Sequence, residues 1–255
     1  MVNEPVPGRV LGSGKEAEVF EYGEMVLKLY RPEIPKRSAF REAAILSIIE
    51  PFGLPTPRTE GVQRTANRWG VIMTRAEGTT FADGLRTEPR RMPEYLKEMA
   101  RLQSAIHRHP GTLFPGFKAR LAANIESVTI LNASRRRFLL SRLAAMPDGD
   151  RLCHGDFHPF NIVGPLGAGV IVDWLNAGCG EPAADVCRSY VLIRTMDPDM
   201  ASAYVDAYAT MSGEARDRIF GWLPFVAAAR LAEGVPDETE SLVAMADGIT
   251  EEAGS

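Results

Sequence analysis

The feature that most limits how this chain can fold is a change of periodicity near residue 75. Before it, apolar runs are short and separated by glycine-containing turns: GRVLGSG (8–14), AEVFEY (17–22) and MVLKLY (25–30). Runs of this length with such turns read as strands. TEGVQRT (59–65) and RWGVIMT (68–74) add two more. Between them, SAFREAAILSIIE spaces Ala44, Ile45, Ile48 and Ile49 as a helical stripe, with Ser38 placed to cap it and Pro51 beyond its end. From about Ala76 the spacing becomes helical. PEYLKEMARLQSAIH sets Tyr95, Met99, Leu102 and Ile106 on one face, and SRRRFLLSRLAAM does the same with Leu139, Leu143 and Met146. A short strand, GVIVDW, ends in Asp173, and four further helical segments follow, the third expected to kink at Pro224. The expected class is α+β: a small β-rich lobe with one helix (residues 1–75) and a larger, mainly helical lobe (76–255), joined near TRAEG at 74–78.

The 255 residues suffice for two such lobes, and 45% hydrophobic with 24% charged residues is ordinary for a soluble globular protein. A formal charge of −4 gives no general pull toward nucleic acid, and the run Arg135 to Arg137 lacks an aromatic platform, so it reads as a solvated helix start. No apolar run approaches the roughly 18 residues of a transmembrane helix, and the first residues lack the pattern of a signal peptide. Cys153, Cys179 and Cys187 form no framework spacing, which implies reduced thiols and a cytoplasmic location. After Arg230 there is no lysine or arginine, while Glu233, Asp237, Glu238, Glu240, Asp247, Glu251 and Glu252 follow. Such a stretch is either a solvated helix face or an acidic wall for a cationic ligand.

LGSGKEAEVF can be read three ways. A phosphate-binding loop opening a helix with G-x-x-x-x-G-K-[ST] fails, because Arg9 stands at the first glycine and Glu16 at the hydroxyl. A dinucleotide fingerprint through Gly12, Gly14 and Ala17 must also open a helix, and here the chain continues as strand, turn, strand. The third reading is a glycine-rich hairpin, with Gly12, Ser13 and Gly14 letting backbone amides approach phosphate oxygens; a plain β-turn has similar glycines. Lys28, flanked by apolar residues on a predicted central strand, needs a partner, and Glu42 on the next helix can reach back to it. The pair would hold a nucleotide's phosphates; the bland alternative is a surface lysine and an ordinary helix carboxylate.

RLCHGDFHPFNIV (151–163) gathers polar groups between apolar flanks. His154 and His158 are four apart, but Gly155 and Pro159 oppose a helix, so a zinc pair is disfavoured. As a loop, it sets Asp156 five positions before Asn161, and GVIVDW delivers Asp173 twelve residues after Asn161. Asn161 and Asp173 would be hard oxygen ligands for Mg²⁺, and Asp156 would accept a proton from an attacking hydroxyl. His154 reads as loop support, a structural hydrogen bond beside Asp173, and His158 as touching either the loop or a phosphate. The protein-kinase catalytic loop has the same H-x-D-x-x-x-x-N spacing.

CHGDFHPFNIV followed by VIVDWLNAGCGEPAADVC resembles the aminoglycoside phosphotransferase and choline kinase superfamily, and the resemblance runs over nearly the whole chain. It implies a two-lobed, protein-kinase-like fold with ATP (or GTP) and Mg²⁺ bound between the lobes. By that resemblance Asp156 matches the catalytic base, Asn161 and Asp173 the metal ligands, and Lys28 and Glu42 the phosphate-anchoring pair. Thr74, Arg75 and Ala76 match the hinge whose backbone contacts adenine, and Asp185 matches a buried aspartate bracing the catalytic loop. Glu181, Cys187 and Phe160 depart from the family's usual aspartate, alanine and glycine, without removing a catalytic group.

Only eleven residues separate Asp173 from Asp185, which leaves no room for an activation loop, and Gly155 stands where a protein kinase has arginine. The acceptor is therefore expected to be a small molecule with a hydroxyl: an aminoglycoside-like or other cationic amino alcohol, with a sugar, a macrolide or another metabolite as alternatives. A catalytically silent nucleotide-binding module is the rival from another class. No nucleic acid and no membrane are expected as partners, and the chain would be a monomer or homodimer.

Overall fold

A computed structural model describes residues 7–248, so Glu251 and Glu252 of the acidic stretch lie outside the described residues. The expected β-rich beginning folds as β1 (Val10–Ser13), β2 (Ala17–Tyr22), β3 (Met25–Tyr30), α1 (Arg37–Ile49), β4 (Thr59–Thr65) and β5 (Arg68–Thr74). The five strands form one antiparallel sheet in the order β1-β2-β3-β5-β4, so β3 is central, with Lys28 opposite Val19 on one side and Val71 on the other. Period-two alternation divides β3. Leu27 and Leu29 pack with Tyr22, while Lys28 and Tyr30 share a face and both bond to Glu42 of α1.

The rest is mostly helical: α2 (Phe81–Thr87), α3 (Met92–Ile106), α4 (Phe117–Ser127) and α5 (Ala133–Ala144) come first. Four short strands follow, β6 (Arg151–Cys153), β7 (Ile162–Val163), β8 (Val170–Ile171) and β9 (Gly178–Gly180). The chain then continues through α6 (Pro182–Arg194), α7 (Pro198–Ser212), α8 (Arg216–Phe220), α9 (Leu223–Arg230) and α10 (Thr239–Ala246). Two compact units result. Over the described residues the first comprises 7–84 with 160–175, the second 85–159 with 176–248. The β7–β8 hairpin thus belongs to the same unit as the N-terminal sheet, while β6 pairs with β9 in the helical unit. No described helix is long and apolar enough to cross a membrane, and the three cysteines are free.

Several local expectations are corrected. Ser38 does not cap α1: the helix begins at Arg37, with Lys36 at the cap position and no side-chain cap bond. Its buried stripe is Ala39, Glu42, Ile45, Leu46 and Ile49, whereas Ala44 is exposed. Ionic pairing lets a glutamate occupy the inner face, which an apolar-only reading of the stripe misses. Pro224 breaks the expected helix rather than kinking it, for it sits in the first turn of α9, after α8 has ended at Phe220. Proline fits there because its missing N–H would have no intrahelical acceptor. The arginine run is not simply solvated. Arg136 donates to the carbonyls of Val128 and Leu131, both at 2.7 Å, and Arg135 pairs with Asp247 at 3.2 Å.

Candidate active site

In the first unit the groups gather around Lys28. Its Nζ donates to Glu42 Oε1 at 2.7 Å and to Asp173 Oδ1 at 3.0 Å. Glu42 is 2% exposed and accepts a second bond from the Tyr30 hydroxyl. Burial alone would lower the Lys28 pKa, but the Glu42 and Asp173 carboxylates outweigh it and hold the ammonium above its ordinary range. Lys28 is therefore a fixed cation. Asp173 stands in the left-handed region at φ 61°, a costly place for a non-glycine residue, and such strain clusters at functional sites. Its side chain is 44% exposed, so the carboxylate can also meet a ligand. Asn161 precedes β7, and its carbonyl accepts from the Val172 N–H at 3.0 Å, extending the β7–β8 ladder. The hairpin thereby brings Asn161 and Asp173, two hard oxygen donors, to one end of a single element.

The glycine-rich turn is exposed throughout Gly12, Ser13 and Gly14, and Gly14 N–H donates to the Ala17 carbonyl at 2.9 Å. A Cβ built at Gly12 would meet nothing within 4 Å, and Gly12 is not among the positive-φ glycines. Neither packing nor backbone angle within the chain requires glycine there. A bound group lying against the backbone would require it, so the turn, the fixed cation and the oxygen donors fit a metal-bound nucleotide. Where a hinge is expected, the Thr74 N–H already donates to the Arg58 carbonyl at 2.9 Å, and Arg75 pairs with Glu77 at 3.0 Å and Glu21 at 3.3 Å. Arg75 and Ala76 lie past the end of β5.

In the second unit the loop after β6 is held by Asp185 of α6. The wholly buried carboxylate accepts from the backbone N–H groups of His154 at 3.0 Å and Gly155 at 2.7 Å. It also meets Gln103 Nε2 at 2.9 Å and His107 Nε2 at 3.0 Å. Burial pushes its pKa up, but the His107 bond, the charges of His107 and His154 and the Gly155 N–H prevail and hold it low. His154 Nδ1 accepts the Asp156 N–H at 3.2 Å, and His158 Nε2 lies 3.6 Å from Asp156 Oδ2. Asp156 itself is partly buried, yet its carboxyl sits well below the usual carboxylate range. Burial raises it, and the hydrogen bond and charge of His158, with the charges of Arg188 and His154, outweigh that.

His107, Cys153 and Asp185 also have the spacing of a metal site. However, His107 Nδ1 lies 2.6 Å from the Tyr208 hydroxyl and Nε2 bonds Asp185, so the cluster is already satisfied as a core brace. The sequence reading had Asp185 as a brace and missed its partners Gln103, His107 and Tyr208. Their signal was present: Gln103 and His107 lie one helical turn apart beside the Met99, Leu102 and Ile106 face, and Tyr204 and Tyr208 repeat the spacing on α7. Arg188 was missed too; it ion-pairs with Asp156 and Glu233.

The sequence profile of the phosphotransferase enzyme family matches residues 8–220. A search of curated protein sequences finds no match. Among solved structures, a thermostable mutant of aminoglycoside phosphotransferase APH(4)-Ia in complex with AMP-PNP and hygromycin B superposes with a TM-score of 0.67 at 18% identity, covering 94% of this chain and 90% of that one. A choline/ethanolamine kinase family protein from Mesorhizobium loti gives 0.60 at 18% identity, covering 97% and 86%. Aminoglycoside phosphotransferase APH(3'')-Id from Streptomyces rimosus, in complex with ADP and streptomycin, gives 0.58 at 19%, covering 83% and 90%. These likenesses establish the kinase-like fold, and with the profile match over most of its length the chain belongs to the phosphotransferase enzyme family.

Proposed function

We propose that this protein transfers the γ-phosphoryl group of ATP to a hydroxyl of a small-molecule acceptor. The observation that carries the reading is the buried Lys28 held between Glu42 and Asp173. A lysine so fixed serves as a point charge for phosphate oxygens. The turn at Gly12, Ser13 and Gly14 covers the phosphates, and the backbone at Thr74, Arg75 and Ala76 contacts adenine, with the Thr74 N–H already engaged in the sheet. Mg²⁺, when bound, offsets phosphate charge, and Asn161 and Asp173 are the residues that would hold it. Asp156 orients the acceptor hydroxyl and takes its proton, while Asp185, His154 and His158 keep the loop in place.

The residues between Asp173 and Asp185 are taken up by a 3₁₀ turn at Trp174–Asn176, β9 and the start of α6, which supports a small acceptor over a protein substrate. An aminoglycoside-like amino alcohol is the acceptor class we favour, since solved relatives bind hygromycin B and streptomycin. The acidic C-terminal stretch contributes little to that choice, because Glu233 and Glu238 face arginines. The test is incubation with Mg·ATP and a panel of aminoglycosides, macrolides, sugars and amino alcohols, following phosphate transfer by mass. Asp156→Asn should lower turnover about 10²- to 10⁴-fold and keep nucleotide binding. Asp173→Ala should abolish the thermal shift given by Mg·ATP. Nucleotide binding without transfer to any acceptor would instead establish a silent module.

A further inference from the structure

We propose that Arg188 is a positioning residue for Asp156, and that Glu233, from the acidic C-terminal stretch, holds Arg188 in that role. The inference rests on the reading of Asp156 as the acceptor-side base. Asp185 and Arg188 lie three residues apart on α6, and so project from adjoining turns of one face. Asp185 takes the backbone of His154 and Gly155, as described. Arg188 takes the next stretch of the same loop: its Nε lies 3.4 Å from the Gly155 carbonyl and its Nη2 3.5 Å from Asp156 Oδ1. The side chain is 9% exposed, so its permanent charge needs a close counter-ion. That counter-ion is Glu233, whose Oε1 lies 2.6 Å from the same Nη2.

The two distances differ in a way that has chemical consequences. The guanidinium is anchored on Glu233 and only steadies Asp156. A close ion pair would block the carboxylate from an incoming hydroxyl, whereas the looser contact orients it and leaves an oxygen able to accept. Glu233 is in turn fixed by Arg230, which also grips Glu238 through two contacts of 2.8 Å. Charge therefore alternates from the proposed base outward to the C-terminal stretch. Arginine suits the middle position because its planar fork meets several acceptors at once, which a lysine ammonium cannot do in fixed directions.

The charged and titratable groups acting on Asp156 include His158, His154, Arg188 and, through its charge, Arg230, and the test separates Arg188 from the others. The protein is labelled with carbon-13 at its aspartate carboxyls, the Asp156 resonance is assigned with Asp156→Asn, and its titration is followed in the wild type and in Arg188→Gln. Loss of the guanidinium should raise the Asp156 midpoint by about one pH unit or more. In parallel, acceptor-independent hydrolysis of Mg·ATP is measured. Arg188→Gln and Glu233→Gln should each lower kcat about tenfold with the KM for Mg·ATP unchanged, and the double variant should be no worse than Arg188→Gln, because Glu233 acts through Arg188. Arg188→Lys should recover part of the loss. An unmoved Asp156 titration, or additive losses in the double variant, would overturn the proposal. If Arg188→Gln does not fold, the half-exposed Glu233→Gln still decides, because an unchanged Asp156 resonance and kcat in it sink the idea. The titration needs no acceptor, so a failure to find phosphoryl transfer counts against the function and leaves this result standing.

Discussion

At the scale of single residues, the position before Asp156 shows how strongly geometry restricts this loop. Gly155 has φ 78°, and a Cβ there would lie 2.2 Å from the Asn176 carbonyl oxygen and 2.5 Å from Arg120 Nη2. Arg120 itself donates to that carbonyl at 2.6 Å, so the obstruction is pinned. The arginine of protein kinases has no room here, which gives a steric reason for a difference that the sequence displays only as a letter. Gly155→Ala should cost about 3 kcal/mol, from left-handed backbone strain together with overpacking. Thermal or urea unfolding will measure it, and a loss below about 1 kcal/mol would mean that the loop relaxes. Lys28 and Glu42 were legible as a pair because a lysine between apolar neighbours demands a counter-ion. Their third partners, Asp173 at 145 residues' separation and Tyr30, were not readable as contacts, because side-chain proximity across such distances depends on how sheet, helix and hairpin pack.

At the scale of elements, α6 organises the loop after β6 within the second unit. Asp185 sits in its first turn, a favourable place for a carboxylate at the positive end of a helix dipole, and ties the loop after β6 to α3. Asp185→Asn replaces an acceptor of N–H groups by a partial donor, and should cost about 3 kcal/mol near neutral pH. The sign of its pH dependence follows from the lowered carboxyl. In the wild type the stabilisation is fully present above the ordinary aspartate value of about 3.9, and it is lost as the pH falls through the lower folded-state value. The stability gap between wild type and Asp185→Asn should therefore narrow as urea melts are taken to lower pH; a constant gap would assign the loss to shape alone. Strand and helix identities were readable from sequence because the periods 2 and 3.6 are local. The break at Pro224 was not, since it depends on which turn the proline occupies.

At the scale of the whole molecule, the acidic C-terminal stretch proves to be structural at Glu233, Glu238 and Asp247. Leu242 and Ala246 of α10 are 2% and 0% exposed and pack with α9, while Glu233, Glu238 and Asp247 answer Arg188, Arg230 and Arg135. Truncation after Gly234 uncovers α9 and leaves Arg230 with Glu233 alone. It should lower stability by at least about 3 kcal/mol, readable as a fall in Tm, from the lost Leu242 burial and the lost arginine pairing. An unchanged Tm would return the stretch to the role of a solvated face. By itself the sequence determined the class of fold, the order of the N-terminal strands and helix and the family, because periodicity, turn residues and the spacing of Asp156, Asn161 and Asp173 are written along the chain, whereas α2, α4 and β9 escaped it. Only the tertiary structure decided which further charges meet. It added Asp173 to the Lys28–Glu42 pair, set Asp173 in a strained backbone conformation, and turned Glu233, Glu238 and Asp247 toward arginines. The physical reason is that an ion pair is worth its desolvation cost only at specific distances in a packed interior, and those distances exist only once the chain has folded.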